Sequence, residues 1–343
     1  MSMLVLGLES TCDETACAVV EDGRCVLSNV ISSQIDDHMP WKGVVPELAS
    51  RLHLEKIIPV IKESLQTAGV GLNEIDLFAF ANRPGLMGGL LVSVGTGKAL
   101  AWALEKPFIA VNHIEAHMYS PHLESDIEYP YIGLLVSGGH TIIVKAQSFT
   151  EYQVMGTTID DAAGEAFDKI AKHYDLGYPG GPAVERAALT GDPFAFNFPV
   201  SNLYKSDRSF DVSYSGIKTA VINHLEKFLK KESYTVNDIA ASFQRRAVDI
   251  ILKKTLLACK STGLKRIVVA GGVSANSYLR ERFSDIGRGY SVYFPGLKYA
   301  TDNAAMIAGY GYHAFNKWGC SPLTIGVETR VSGYKQMMAD LRK

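Results

Sequence analysis

Two histidines four residues apart, His113 and His117 in the stretch Asn112-His113-Ile114-Glu115-Ala116-His117, carry the most distinctive chemistry of this 343-residue chain. On a helix, residues at i and i+4 project from one face, so both imidazoles can reach a single metal ion. The spacing fits two unrelated surface histidines as well. A metalloprotease helix puts glutamate directly after its first histidine, where this chain has Ile114. A zinc deaminase needs a Pro-Cys-x-x-Cys partner, and no pair among Cys12, Cys17, Cys25, Cys259 and Cys320 has that spacing. A metal at this position therefore needs a third ligand from elsewhere in the chain. Asp302, in Thr301-Asp302-Asn303, offers an oxygen for that purpose or an N-cap for the small-residue helix that follows it.

Small polar turns form the second group of candidates. Leu4 to Leu8 and Ala16 to Val20 read as strands flanking Glu9-Ser10-Thr11-Cys12-Asp13-Glu14-Thr15, and the pattern returns as Ile132 to Val136, Ser137-Gly138-Gly139-His140, then Thr141 to Val144. Two such hairpins, one opening each half, imply two related lobes. Backbone N–H groups at a Ser-Gly-Gly tip can face a phosphate, or the tip can be an ordinary tight turn. Arg266 to Ala270 is a strand running through Gly271-Gly272 into a helix that begins near Ser277, where α/β proteins hold nucleotides. The segment Asp160 to Lys169 reads as a helix with Asp161, Glu165 and Asp168 on one face, awaiting hydroxyls, a cation or solvent. Tyr178-Pro179-Gly180-Gly181-Pro182 is a rigid turn.

The elements that must position these groups follow from the periodicity. Pro46 to Leu65 is helical, Asp76 to Ala81 is a strand, and glycines 85, 88, 89, 95 and 97 bring backbones close before a helix ending near Glu105 and a strand at Phe108 to Val111. Two long basic helices are expected over Val236 to Ser261. With 47% hydrophobic and 20% charged residues the chain has material for two real cores, which excludes disorder. The start lacks a basic n-region, the apolar runs are broken by Gly, Ser or Lys, and the five cysteines lack framework spacing, so a cytoplasmic protein with reduced thiols and no membrane segment is expected. The net charge of −2 hides an asymmetry: residues 1–200 hold 12 Lys and Arg against 25 Asp and Glu, and residues 201–343 hold 22 against 11. A polyanion contacting one face would use that difference, though Lys227, Lys230, Lys231, Arg245, Arg246, Lys253, Lys254 and Lys260 could equally solvate helix surfaces.

Taken in order, these pieces resemble the bacterial TsaD family of tRNA adenosine threonylcarbamoyltransferases. The likeness runs from Leu6 to about Gly326 and is carried by residues 9–15, Gly43 to Arg51, His113 with His117, Leu135 to Thr141, Asp160 to Lys169, Tyr178 to Pro182, Gly271 to Asn276 and Thr301 to Asn303. It implies an α/β actin-like (ASKHA) fold of two RNase H-like lobes with a central cleft, divided as 1–115 completed by 303–330, and 116–302. It implies one divalent transition metal per chain, iron or zinc, on His113, His117 and Asp302. The nucleotide intermediate would lie on Leu135, Val136, Ser137, Gly138, Gly139, Asp168, Gly181, Glu185 and Asn276. The implied reaction moves a threonylcarbamoyl group from threonylcarbamoyl-AMP to the N6 amine of the adenosine 3' of the anticodon, in tRNAs reading codons that begin with A. Asp13 or Glu14 is the candidate acceptor for the amine proton. A TsaB-type paralogue and a small TsaE-type ATPase are the implied partners. Asn82-Arg83-Pro84-Gly85 departs from the family's Gly-Pro-Gly context, and Leu135 stands where archaeal relatives have a metal-binding tyrosine. The rival classes are an ASKHA-fold ATPase or small-molecule kinase, which has no use for His-x-x-x-His paired with an aspartate, and a non-catalytic interaction lobe, which would have lost those ligands.

Overall fold

A computed structural model describes residues 2–199, 209–223 and 234–330 as two compact units. Strands β1 (Leu4–Glu9), β2 (Glu14–Glu21) and β3 (Cys25–Ser33) lead into helix α1 (Pro46–Ala68), followed by β4 (Leu77–Arg83), α2 (Met87–Ala103), β5 (Phe108–Asn112) and α3 (His113–Tyr119). The second unit holds β6 (Tyr131–Val136), β7 (Thr141–Ser148), β8 (Glu151–Thr157), α4 (Ala163–His173), α5 (Gly180–Ala188), α6 (Ser215–Asn223), α7 (Val236–Thr262), β9 (Arg266–Ala270), α8 (Ser277–Ser284) and β10 (Ser291–Tyr293). The chain then returns to the first unit with α9 (Ala304–Trp318).

The two sheets repeat one topology. The first runs β3-β2-β1-β4-β5 and the second β8-β7-β6-β9-β10, each with its opening hairpin antiparallel and its later strands parallel to the first. This is the duplication expected from the two hairpins. Strand alternation sorts the first core: Leu6 and Leu8 pack with Ile57, Ile61 and Val92 of α1 and α2, while Val5, Ala16 and Ala18 pack with Ala304 and Ala308 of α9. Gly7 lies opposite the start of α9, where an added Cβ would stand 2.4 Å from the Ala304 carbonyl oxygen. Only a residue without a side chain lets that helix sit so close to β1.

Several expectations need correction. One unit runs to Ile127, takes in Ser148–Glu151 and resumes at Pro295, so the joins lie at 127/128, 147/148, 151/152 and 294/295 rather than at 115/116 and 302/303. The cause is packing, since Ala116, Tyr119 and Leu123 share a buried cluster with Ala305, Ala308 and Tyr310. Residues 236–262 form one helix instead of two. The helix expected from Asp160 begins at Ala163, which leaves Asp160 and Asp161 in the preceding turn. There Asp160 accepts from the Tyr214 and Ser215 amides, and Asp161 pairs with Lys169 and Lys218.

The basic face is also smaller than its sequence. Lys254 is buried and donates to the Ser209 carbonyl, while Arg245 and Arg246 donate to carbonyls of residues 193–198. Burial lowers the Lys254 amine, and the nearby Asp211 charge opposes that shift. Lys253 and Lys260 are exposed, and Lys227, Lys230 and Lys231 lie outside the described residues. The departing Asn82 and Arg83 hold the segment after α9: Asn82 donates to the Gly326 carbonyl and accepts from the Glu328 amide, and Arg83 lies 3.4 Å from the Glu328 carboxylate. Among the described residues no helix is long and apolar enough to cross a membrane.

Candidate functional site

Helix α3 starts where β5 ends, and the Asn112 side chain caps it by accepting the Ile114 N–H at 3.0 Å. His113 thus stands in the first turn and His117 one turn later, with ring centroids 4.5 Å apart. In the same unit, Asn303 caps α9 by accepting from Met306 N–H. Asn303, not Asp302, therefore serves as the cap. Asp302 is left to face the imidazoles, with Oδ1 at 3.0 Å from His117 Nε2 and 3.6 Å from His113 Nε2. One donor atom from each of the three residues lies within 4.8 Å of the others. Glu115 turns elsewhere, to the Tyr310 hydroxyl and the Asn112 amide, in keeping with the rejected metalloprotease pattern.

Spacing gave no hint of Glu9. Its carboxylate is fully buried, with Oε2 at 2.8 Å from His113 Nδ1 and Oε1 accepting from the Thr11 amide at 2.6 Å. A carboxylate behind a ligating imidazole fixes the tautomer, so that Nδ1 carries the proton and Nε2 offers its lone pair towards Asp302. His117 lacks such a support among the described residues, where its buried Nδ1 has no hydrogen-bond partner.

The electrostatics favour a cation. Burial alone would depress His113, yet the Glu9 and Asp302 carboxylates outweigh it and raise the imidazole to about 9. Burial, then Asp302 and Asp13, push Glu14 well above the ordinary carboxylate range. The pocket gathers the Glu9, Asp13, Glu14 and Asp302 carboxyls around the site, and its hard oxygen and two imidazole nitrogens suit a divalent transition ion. Replacing Glu9 with glutamine keeps an acceptor for Thr11 but removes the charge behind His113. Metal affinity is expected to fall about 10- to 100-fold in a competition titration against a chelator, and an unchanged affinity would contradict the supporting role.

In the second unit, the Ser137–Gly139 tip is held from behind by α4. Gly164 N–H donates to the Ser137 carbonyl and Glu165 N–H to the Gly138 carbonyl, each at 3.1 Å. A Cβ on Gly164 would stand 2.7 Å from Gly138 Cα, whereas one on Gly138 or Gly139 would meet nothing within 4 Å. With the carbonyls tied to α4, the exposed Gly138 and Gly139 N–H groups have no partner among the described residues, the arrangement an anion would satisfy. The remaining candidates adjoin one another: Asp168 Oδ1 accepts from Gly180 N–H at 2.8 Å beside Gly181, and Glu185 accepts from Ser277 N–H at 2.7 Å beside Asn276. Asn276 is committed on both ends, capping α8 through Leu279 N–H and donating to Gln244. Leu135 and Val136 have buried side chains within β6, so they bear on the tip by ending the strand.

The comparisons with known proteins agree in one direction. The model of the family described as TsaD, tRNA N6-adenosine threonylcarbamoyltransferase, matches residues 25–309. The chain is 54% identical over 335 residues to the tRNA N6-adenosine threonylcarbamoyltransferase of Treponema denticola, covering 97% of this chain and 99% of that one. It is 49% identical to the Brachyspira hyodysenteriae protein of the same name, covering 97% and 98%. Among solved structures it is similar to full-length HypF in a phosphate- and nucleotide-bound form, with a TM-score of 0.60 and 16% identity over 93% of this chain and 56% of that chain. It is also similar to component A of the Acidaminococcus fermentans (R)-2-hydroxyglutaryl-CoA dehydratase, with a TM-score of 0.54 and 14% identity over 91% of this chain and 98% of that one. These last two likenesses establish the fold, which is actin-like.

Proposed function

The chain belongs to the TsaD family of tRNA N6-adenosine threonylcarbamoyltransferases, and from that premise we propose how its own residues carry the transfer. It is a transferase whose substrates are threonylcarbamoyl-AMP and tRNA. The reading of a kinase or a non-catalytic lobe is not favoured.

The observation that carries the proposal is the convergence of His113, His117 and Asp302 in front of Glu9. These three residues would hold one divalent ion, iron or else zinc, which supplies Lewis acidity towards a donor carbonyl when bound. The donor is a mixed anhydride with a good leaving group, but the adenine amine is a weak nucleophile because its lone pair is delocalised into the ring. Positioning and charge stabilisation therefore have most of the work. The amine nitrogen bonds to the carbamoyl carbon, the bond from that carbon to the phosphate oxygen breaks, and AMP departs. Asp13 or Glu14, at the β1–β2 tip, takes the amine proton; burial and the Asp302 and Asp13 charges hold Glu14 well above the ordinary carboxylate range, which makes it the stronger base once ionised. Gly138 and Gly139 receive the adenylate phosphate, with Asp168, Gly181, Glu185 and Asn276 framing ribose and base.

The acceptor is the adenosine 3' of the anticodon in tRNAs for codons starting with A, an already unstacked loop base that costs little to present. Exposed Lys253 and Lys260 would contact the tRNA backbone. A TsaB-type paralogue and a TsaE-type ATPase complete the reaction in the cytoplasm. In the test, chelation is expected to stop transfer to tRNA, and stoichiometric iron or zinc to restore it. Full transfer by demonstrably metal-free protein would remove the proposed role.

A further inference from the structure

Beneath the β1–β2 tip lies a buried polar network that the transfer chemistry does not use: Gln34, His38 and His53, all 2% exposed or less. Its hydrogen bonds have one consistent direction. Val45 N–H donates to His38 Nδ1 at 3.3 Å, so His38 Nε2 carries the proton and donates to Gln34 Oε1 at 3.2 Å. Gln34 Nε2 donates to His53 Nδ1 at 3.3 Å, and Thr15 Oγ1 lies 2.8 Å from the same nitrogen. That leaves the proton on His53 Nε2, which donates to the Cys12 carbonyl at 3.0 Å. The Val45 amide fixes His38 as the neutral Nε2–H form, and the Gln34 amide and Cys12 carbonyl favour the same form for His53, with Thr15 Oγ1 sharing its Nδ1.

The tip is gripped at three successive carbonyls. Thr11 O accepts from Leu86 N–H at 2.8 Å, Cys12 O from His53, and Asp13 O from Gln34 N–H at 2.9 Å. Gly89 lets α2 close on the same loop, since a Cβ there would stand 2.2 Å from Ser10 O and 3.2 Å from the His53 ring. Two imidazoles and an amide buried together are no more stabilising than well-packed apolar side chains of equal volume, so their return is orientation. We propose that Gln34, His38 and His53 are positioning residues that fix the Cys12–Glu14 backbone and thereby aim the Asp13 and Glu14 carboxylates at the reacting amine. The proposal rests on the reading that one of those carboxylates accepts the proton.

The test compares full-length variants in the reconstituted transfer reaction. His53→Leu removes the donor to Cys12 O, and Gln34→Leu removes the amide that joins the two imidazoles. Both are expected to lower kcat by about 100-fold, the cost of misplacing a reacting group by around an ångström. KM for threonylcarbamoyl-AMP, KM for tRNA and bound metal should remain at wild-type values. His53→Gln, which retains an N–H donor near the position of Nε2, should recover most of the rate. Wild-type kcat in His53→Leu and Gln34→Leu would overturn the proposal, as would a loss of bound metal in parallel with the rate, which marks a general support of the fold. Asp13→Asn and Glu14→Gln separate the two readings. If neither lowers kcat, the carboxylate reading fails and takes the network's role with it; if either collapses kcat while the network variants do not, only the network proposal fails.

Discussion

His117→Asn is expected to lose the bound metal and with it at least a thousandfold of the transfer rate, the largest effect any single substitution in this chain should have. The magnitude follows from removing several kcal/mol of charge stabilisation at the reacting carbonyl, at about 1.4 kcal/mol per factor of ten. His117 is the better choice than His113 because its removal leaves the Glu9–His113 pair intact. His113→Ala would strand a fully buried carboxylate, and an uncompensated buried charge costs about 3–5 kcal/mol, which would confuse loss of chemistry with loss of fold. Metal content and melting temperature measured on the same preparation separate the two. A His117→Asn protein that retains one ion per chain would show that this imidazole is not a ligand.

Gly164→Val should produce the second largest effect, on the other substrate-handling group. Even the first carbon of the new side chain would stand 2.7 Å from Gly138 Cα and 2.9 Å from the Ser137 carbonyl, so either the tip or α4 has to move. Overpacking of this kind costs about 1–3 kcal/mol in stability. It also breaks the two hydrogen bonds that tie the tip's carbonyls to α4, and so re-aims the Gly138 and Gly139 N–H groups. KM for threonylcarbamoyl-AMP is expected to rise about 10- to 100-fold, equivalent to 1.4–2.8 kcal/mol. KM for tRNA and bound metal should be unchanged. An unaltered donor KM would exclude the Ser137–Gly139 tip from phosphate binding.

Local patterns in the sequence revealed the local features of the structure. The i,i+4 histidines, the two hairpins and the strand-to-helix passage at Gly271 each declare themselves within a short stretch of chain, and all form as expected. Glu9 does not, because 104 residues separate it from His113 and no periodicity links a strand end to a distant helix start. Asp302 was ambiguous for a simpler reason: two adjacent residues can each cap a helix, and only the Asn303 bond to Met306 N–H decides between them. Lys254 carries its signal in the helical spacing. Ala247, Ile251, Lys254 and Ala258 follow one another at helical spacing and are all buried, so the lysine lies on the core stripe of α7 while Lys253 falls off it. The displaced unit boundaries have the same origin as Glu9, since the packing of Tyr119 on α9 joins residues nearly two hundred positions apart.

Residues from β1, α3 and the turn before α9 are expected to build one metal centre within a single unit. Anomalous scattering from crystals of the metal-loaded, full-length chain, recorded across the iron and zinc edges, tests it most directly. One peak per chain is predicted, within coordinating distance of a ring nitrogen of His113, a ring nitrogen of His117 and a carboxylate oxygen of Asp302, with Glu9 still on His113 Nδ1. A peak elsewhere, or a loaded chain in which the two imidazoles coordinate nothing, would contradict this ligand set.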